Sequence, residues 1–152
     1  MKIVPVLLLF ICVFAASQSS KPADNAQIER GKYLVNEVAK CGSCHTPHLA
    51  NGKEDPARAL QGSHIEVKPL HPVKWEDHAP ALAGGPRGSW TQADVSKTLQ
   101  TGLDRKGGHL DAPMPEYHMH AEDADAIAAY IFSLPRPAHQ AQSEQHEHEH
   151  HH

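Results

Sequence analysis

Two cysteines and a histidine form the most informative chemical pattern in this chain. Cys41 and Cys44 are separated by two residues, and His45 follows directly. Two thiols at this spacing can reach two vinyl groups on neighbouring edges of one porphyrin, and the next imidazole can then bind the iron; this is the C-x-x-C-H attachment pattern of c-type haem. The spacing therefore predicts one covalent haem c, attached at Cys41 and Cys44, with His45 as an iron ligand.

Two other interpretations of the cysteine pair are open. A C-x-x-C pair can be a thiol–disulfide redox site, but such sites lie at the start of a helix that follows a strand, and no strand pattern precedes Cys41. The pair could also supply half of a zinc site, although no second cysteine pair follows it. The histidine next to Cys44 favours haem over both.

The N-terminus has the pattern of an export signal. Lys2 precedes an apolar run over residues 3–16, and small and polar residues follow, which predicts a signal peptide over residues 1–17 and a flexible leader over 18–23. The run is shorter than the ~20 residues of a comfortable membrane span, so an uncleaved anchor is the less favoured alternative. We expect a periplasmic or otherwise exported protein without stable membrane insertion after cleavage.

Length and charge restrict the class of protein further. The chain has 152 residues, of which only 5% are aromatic. This is enough for one small domain, whose modest core a bound macrocycle would complete. The formal net charge of −4 disfavours nucleic acid as a partner, because phosphate binding needs a basic surface.

The first helical pattern leads into the cysteine motif. It is expected to begin after Asp24, with Gln27 at the capping-box position, and to be broken at Gly42. Its apolar face consists of residues at helical spacing, namely Ile28, Gly31, Leu34, Val35 and Val38.

Two further helices follow after a long interval. Thr91 begins the second, with Asp94 at the capping-box position, and Gly102 ends it. The third runs from about Ala121 to Ser133 and has an acidic first turn, which suits the helix dipole. Its apolar face contains Ile127, Tyr130, Ile131 and Leu134.

The remaining segments lack a sustained hydrophobic period. Residues 46–89 and 103–117 are predicted to be loops, with one short helical turn near residues 56–60. Residues 136–152 are mostly Gln, Glu and His, which predicts a disordered tail. Its His-rich end is either a native metal-binding tail or an expression tag.

With these features in order, residues 25–135 resemble a class I c-type cytochrome, that is, a monohaem cytochrome c domain. Pro80-Ala81-Leu82-Ala83-Gly84 resembles the Pro-x-Leu-x-Gly loop of that family, and Pro113-Met114-Pro115 resembles its Met-ligand loop. Tyr130 follows Met114 by sixteen residues, close to the family's usual separation. The resemblance implies an all-α cytochrome c fold over residues 24–135, with about three main helices wrapped around one covalent haem.

The resemblance also implies roles for individual residues. The carbonyl of Pro80 would accept the ring N–H of His45, Leu82 would pack on the haem ring, and Met114 would be the distal iron ligand. Gly31 and Tyr130 would lie where the first and last helices cross.

Several alternatives to these roles stay open. Met119 is a second, less well placed candidate for the distal ligand, and His109, His118 or His120 could give bis-His ligation. Trp75 and Trp90 could pack the haem or a propionate, or anchor loops, and Arg105 could pair with a propionate. These last three side chains are therefore not assigned a role from the sequence.

One departure from the smallest family members is a longer interval before Pro80, which indicates an insertion over residues 49–78. Longer members resemble cytochrome subunits or partners of exported dehydrogenases. The expected function is thus a non-catalytic electron carrier, or the electron-transfer subunit of an exported oxidoreductase, with a dehydrogenase, an oxidase or another cytochrome as redox partner. The alternative is a haem enzyme or ligand-binding haem protein with an open iron site.

Overall fold

The computed structural model describes residues 24–138; the predicted signal peptide, the leader and residues 139–152 of the tail lie outside this range. Its helices are α1 (Asn25–Tyr33), α2 (Gly42–His45), α3 (Gln92–Thr101) and α4 (Ala121–Ser133). A π-helical turn, Leu34–Val38, extends α1, and a 3-10 turn covers Pro56–Arg58. Strands β1 (Ser63–His64) and β2 (His78–Ala79) form an antiparallel pair. Since α2 is a single turn, the expectation of about three main helices with long loops is confirmed.

The first and last helices cross at a glycine. A Cβ atom added to Gly31 would collide with the backbone of Ala126, lying 2.6 Å from its carbonyl carbon, and would come within 2.8 Å of Cβ of Tyr130. Only a residue without a side chain permits so close an approach of two backbones. The predicted crossing of α1 and α4 at Gly31 and Tyr130 is therefore confirmed.

A continuous apolar core lies between α1, α3 and α4. Ile127, on α4, is only 1% exposed and packs with Leu34 and Val35 from the end of the first helix and with Val95 and Leu99 from α3. These residues share helical faces because their spacing follows the 3.6-residue period. The core joins the segment that leads into the cysteine motif to the other two main helices.

Asp24 and Thr91 cap their helices as predicted, although the reciprocal bond expected from the Gln27 side chain is not among the contacts of the described residues. The Asp24 carboxylate accepts the backbone N–H of Gln27 at 2.8 Å. Thr91 and Asp94 form a reciprocal capping box, and Gly102 ends α3 in the left-handed region with φ 73°. These local signals confirm where α1 and α3 begin and where α3 ends.

The break between α1 and the cysteine motif differs from the prediction. Gly42 was expected to break the helix, but it begins α2, and the chain turns at Lys40, whose φ is 53°. Val38, expected on the apolar face, is 56% exposed, because the π-helical turn rotates the end of the helix. The prediction failed at both residues, since it assumed an unbroken α-helical period.

Residues 46–89 form loops, as expected, with a 3-10 turn close to the predicted helical turn. The short pairing of β1 with β2 was not predicted. Two-residue strands carry no recognisable alternation in sequence, because a period of two needs about four residues to be seen. No helix in the described part of the chain is long and apolar enough to cross a membrane.

Candidate functional site

The C-x-x-C-H motif lies on one helical turn that is tied to the end of α1. The N–H of Cys41 donates to the carbonyl of Val35 at 3.0 Å, and the N–H of His45 donates to the carbonyl of Cys41 at 3.0 Å. Both cysteine side chains are half-buried, and His45 is only 6% exposed. The turn therefore presents two thiols and one imidazole from a rigid five-residue unit.

The ring of His45 is oriented by a backbone carbonyl. Its Nδ1 lies 2.8 Å from the carbonyl oxygen of Pro80. Because a carbonyl can only accept, Nδ1 carries the proton and Nε2 keeps its lone pair, which is the form of histidine that binds metals. Burial lowers the pKa of His45, with the Pro80 hydrogen bond acting in the opposite direction, so the ring is neutral near pH 7.

The thiol of Cys41 lacks the electrostatics of a redox-active cysteine. Burial raises the pKa of this thiol to about 11. A hydrogen bond with the backbone of Cys41 itself lowers the pKa, and the neighbouring Cys44 raises it further. Thiol–disulfide catalysts need a lowered pKa, because the thiolate is the nucleophile. The environment of Cys41 therefore disfavours the thiol-redox interpretation.

Zinc binding also gains no support in the described residues. Within residues 24–138, no three His, Cys, Asp or Glu side chains come together in a group that could hold a metal ion.

Two residues that sequence reasoning missed hold the Pro80–Leu82 loop beside the cysteine motif. The buried hydroxyl of Thr46 accepts the N–H of Leu60 at 2.9 Å. The carbonyl of Leu60 in turn accepts the N–H groups of Leu82 and Ala83, at 2.8 and 3.0 Å. Leu82 is partly buried against the hydrophobic core. Thr46 and Leu60 thus fix the loop that supplies the acceptor for His45.

Leu60 has an unusual backbone for its residue type. Its φ of 57° is a left-handed conformation that a bulky residue rarely adopts, and its side chain is buried. The Leu60-Gln61-Gly62 sequence, which lies inside the predicted insertion, gave no signal of this. A leucine in a glycine-like conformation has no sequence signature.

Met114 lies half-buried on the loop between α3 and α4. Its N–H donates to the carbonyl of Asp111 at 3.2 Å. Met119, the alternative, packs against the hydrophobic core, and its N–H donates to the carbonyl of Leu99 at 3.0 Å. A methionine committed to the core is less available to a ligand, which favours Met114.

The alternative histidines lie at the surface. His109 is exposed and its Nδ1 lies 2.6 Å from a carboxylate oxygen of Glu116. His118 and His120 are exposed, and His120 occupies the N-cap of α4. Among the described residues, none of the three shares the burial of His45.

The two tryptophans differ in their surroundings. Trp90 stacks with Arg105, whose guanidinium carbon lies 4.9 Å from the ring centre and which also donates to the carbonyl of Ser89 at 3.0 Å. Arg105 therefore anchors the loop before α3. Trp75, in contrast, has a buried indole Nε1 that finds no hydrogen-bond partner in the described part of the chain.

An unpartnered buried donor calls for an acceptor, because leaving it unsatisfied costs about 1–3 kcal/mol. Together with the paired thiols and the oriented His45 imidazole, the Trp75 N–H fits a covalently attached macrocycle that carries an iron and carboxylates. The donor set is therefore chemically suited to haem c.

Comparison with known proteins agrees with this chemistry. The sequence model of the family described as cytochrome c matches residues 28–135, well over half of the chain. The chain belongs to the cytochrome c family. The family assignment and the cytochrome c fold expected from the sequence are thereby confirmed, and membership implies a covalently bound haem c.

Three curated relatives match part of this chain, and two of them are named as subunits of dehydrogenases. The chain is 35% identical over 102 residues to the fructose dehydrogenase cytochrome subunit of Gluconobacter japonicus, covering 64% of this chain and 18% of that protein. It is 30% identical over 94 residues to a nicotinate dehydrogenase subunit of Pseudomonas putida, covering 61% and 7%. A diheme c-type cytochrome of Cereibacter sphaeroides is 30% identical over 91 residues, covering 54% and 26%. The cytochrome c domain thus spans about a quarter or less of each relative.

Proposed function

We propose that this domain carries single electrons between redox proteins through one haem c, which Cys41 and Cys44 would attach and whose iron His45 and Met114 would bind. Membership of the cytochrome c family makes the chain an electron-transfer haem protein; the number of haems and the ligand set are the proposed parts. The observation that carries the proposal is the 2.8 Å contact between His45 Nδ1 and the carbonyl of Pro80, which leaves Nε2 of a buried imidazole ready to bind iron.

Each of the named residues has a different role toward the proposed haem. Bound haem supplies a one-electron couple at its iron. Cys41 and Cys44 would hold the group through thioether bonds, and the carbonyl of Pro80 fixes the plane and tautomer of His45. Met114, a thioether donor, would favour the reduced state of the iron and so raise the reduction potential. With His45 and Met114 both bound to the iron, the haem would offer no site to a substrate, so the proposed role is that of a non-catalytic carrier.

The cellular setting is proposed from the sequence and the relatives together. The predicted signal peptide favours export to the periplasm or beyond. The matched relatives include subunits of a fructose dehydrogenase and a nicotinate dehydrogenase. We infer that the partners are other redox proteins, with a dehydrogenase as electron donor and a second cytochrome or an oxidase as acceptor.

The test is a set of visible spectra on protein made with a cytochrome c maturation system, including a pyridine haemochrome assay. We expect one covalent haem per chain and a weak far-red Met–iron band in the oxidised protein. The Met114→Ala variant should lose this band, whereas Met119→Ala should keep it.

Each other outcome has a definite meaning. Loss of the band in Met119→Ala alone would contradict the ligand assignment. A high-spin wild-type haem that binds carbon monoxide rapidly would instead favour a ligand-binding or enzymatic haem protein. Absence of covalent haem would overturn the proposal.

A further inference from the structure

One short segment connects the two sides of the proposed haem site. Residues 74–80, which we call the strap, run from the loop that carries Met114 to the carbonyl that orients His45. No helix lies within the strap. Its six peptide units span at most about 22 Å when extended, so the strap is a short connection between the two sides. Most of it belongs to the insertion predicted from the sequence.

The distal end of the strap is attached to the Met114 loop just before Met114, at Asp111 and Ala112. The ammonium of Lys74 pairs with the carboxylate of Asp111 at 2.6 Å. Trp75 forms a parallel β-bridge with Ala112, and the N–H of Glu76 donates to the carbonyl of Ala112 at 2.7 Å. The backbone carbonyl of Asp111 also accepts the N–H of Met114, so the strap holds the residues from which the Met114 turn begins.

The proximal end is attached at three successive points. The carbonyl of Asp77 accepts the N–H of Ile65 at 2.7 Å. His78 and Ala79 form β2, which pairs with β1. Pro80 then accepts the ring N–H of His45. Movement of the strap would therefore displace both the His45 imidazole and the Met114 loop.

We propose that the strap is a positioning device that couples the two axial ligands, with the Glu76–Ala112 backbone hydrogen bond as its distal anchor. This inference rests on the proposed function, because it takes Met114 and His45 as the iron ligands. Loosening the anchor weakens the hold on Met114 and rotates or shifts His45. A free Met114 loop then gives way more easily to a competing iron ligand.

The test compares two proline substitutions in the full-length, haem-loaded protein. Glu76→Pro removes the N–H that bonds to Ala112. His71→Pro is the matched control, because His71 is an exposed residue of the same proline-rich loop and lies outside the strap. Imidazole is titrated into the oxidised protein, where it competes with Met114 for iron.

We expect Glu76→Pro to bind imidazole about three- to tenfold more tightly than the wild type, as the loss of one backbone hydrogen bond allows. His71→Pro should match the wild type. The ring protons of His45, followed by proton NMR in the oxidised protein, should shift in Glu76→Pro and stay in place in His71→Pro. A merely structural role for Glu76 would leave the His45 signals unmoved.

The outcomes separate the strap from the proposed function. A wild type without a Met–iron band would refute the Met114 assignment. If the wild type has that band and the two proline variants bind imidazole with equal affinity, the proposed coupling through the strap is wrong.

If Glu76→Pro fails to incorporate haem, Lys74→Ala and Asp111→Asn carry the test. Each is expected to tighten imidazole binding up to about twofold, because the ion pair is exposed. The double variant should show the effect of one change, since both remove the same pair. Additive effects, or none, would overturn the strap.

Discussion

The main helices and the long segment over residues 46–89 are held in place by different kinds of interaction. The helices α1, α3 and α4 share one apolar core, with residues such as Ile127 almost fully buried. The segment contributes Leu60 and Ala83 to that core, with Leu82 partly buried against it, and Leu70 within the segment is 96% exposed. It is fixed mainly by single hydrogen bonds: one inside the segment, from the N–H of Leu60 to Thr46, and two that join it to His45 and Ala112.

This difference indicates that the helices and the segment contribute to the protein in different ways. Burial of apolar surface is non-directional and stabilises the fold as a whole. A hydrogen bond fixes one atom relative to another, which is what an oriented ligand needs. The segment therefore contributes geometry to the site, and the helices contribute stability to the domain.

Truncating one apolar side chain in each region is the sharpest test of this division. Ile127→Ala should lower the free energy of unfolding by about 2–5 kcal/mol, because it opens a cavity in the core. Leu70→Ala should change it by less than about 0.5 kcal/mol, since Leu70 is exposed. Guanidinium unfolding of the haem-loaded protein measures both, and equal effects would contradict the comparison.

The same division decides what could be predicted from the sequence. The caps at Asp24 and Thr91, the end of α3 at Gly102 and the extent of α4 rest on neighbours within a few residues, and these predictions were confirmed. The C-x-x-C-H motif is equally local. The family and the helix crossing at Gly31 were also predicted from the sequence. These two predictions depended on the resemblance to known c-type cytochromes.

The contacts that position the site could not be predicted in the same way. The left-handed Leu60, the acceptor role of Thr46 and the bridge between Trp75 and Ala112 depend on residues far apart in the chain. The helix was expected to break at Gly42, because glycine is the usual breaker, but the π-helical turn ends at Val38 and the chain turns at Lys40. The haem roles of Leu82 and Met114 remain proposals.

A second prediction concerns the close approach of the α1 and α4 backbones, with a glycine on the loop between α3 and α4 as the control. Gly31→Ala should destabilise the protein by about 3 kcal/mol, at the upper end for overpacking, because the new methyl group meets the α4 backbone. Gly108→Ala is the control: its new Cβ would lie 3.4 Å from Asp104 Oδ2, an ordinary contact. Thermal unfolding should show a lower midpoint for the first variant alone; a normal midpoint would mean that α1 and α4 can separate without loss.

A third prediction addresses the hydrogen bonds of the segment. Thr46→Val keeps the shape of the side chain but leaves the buried N–H of Leu60 without its acceptor, which should cost about 2 kcal/mol. Thr101→Val, at an exposed position on α3, should cost less than about 0.5 kcal/mol. Hydrogen exchange at the amides of Leu82 and Ala83 should quicken only in Thr46→Val, because Leu60 is their acceptor. Unchanged exchange there would mean that the loop is held by other contacts.

The smallest expected effect tests local capping within the helices. Thr91→Ala removes the side-chain acceptor at the start of α3 and should cost about 1 kcal/mol at pH 7. The backbone N–H and the hydroxyl of Thr91 both donate to Asp94, and these bonds lower the pKa of its carboxyl group. Because the pKa of Asp94 is lower in the folded state, its carboxylate stabilises that state at pH values above the ordinary pKa of about 3.9. This stabilisation is lost as the pH falls through the lowered pKa.

The difference in unfolding free energy between wild type and Thr91→Ala should accordingly shrink as the pH is taken from 7 to below the lowered pKa of Asp94. Part of that difference is the hydroxyl bond to the ionised carboxylate, which protonation weakens. Thr101→Ala, at the other end of α3, serves as the comparison, because its hydroxyl donates to the backbone carbonyl of Lys97, which does not titrate. A difference that stays constant with pH in Thr91→Ala would show that the capping box acts through its backbone bonds alone.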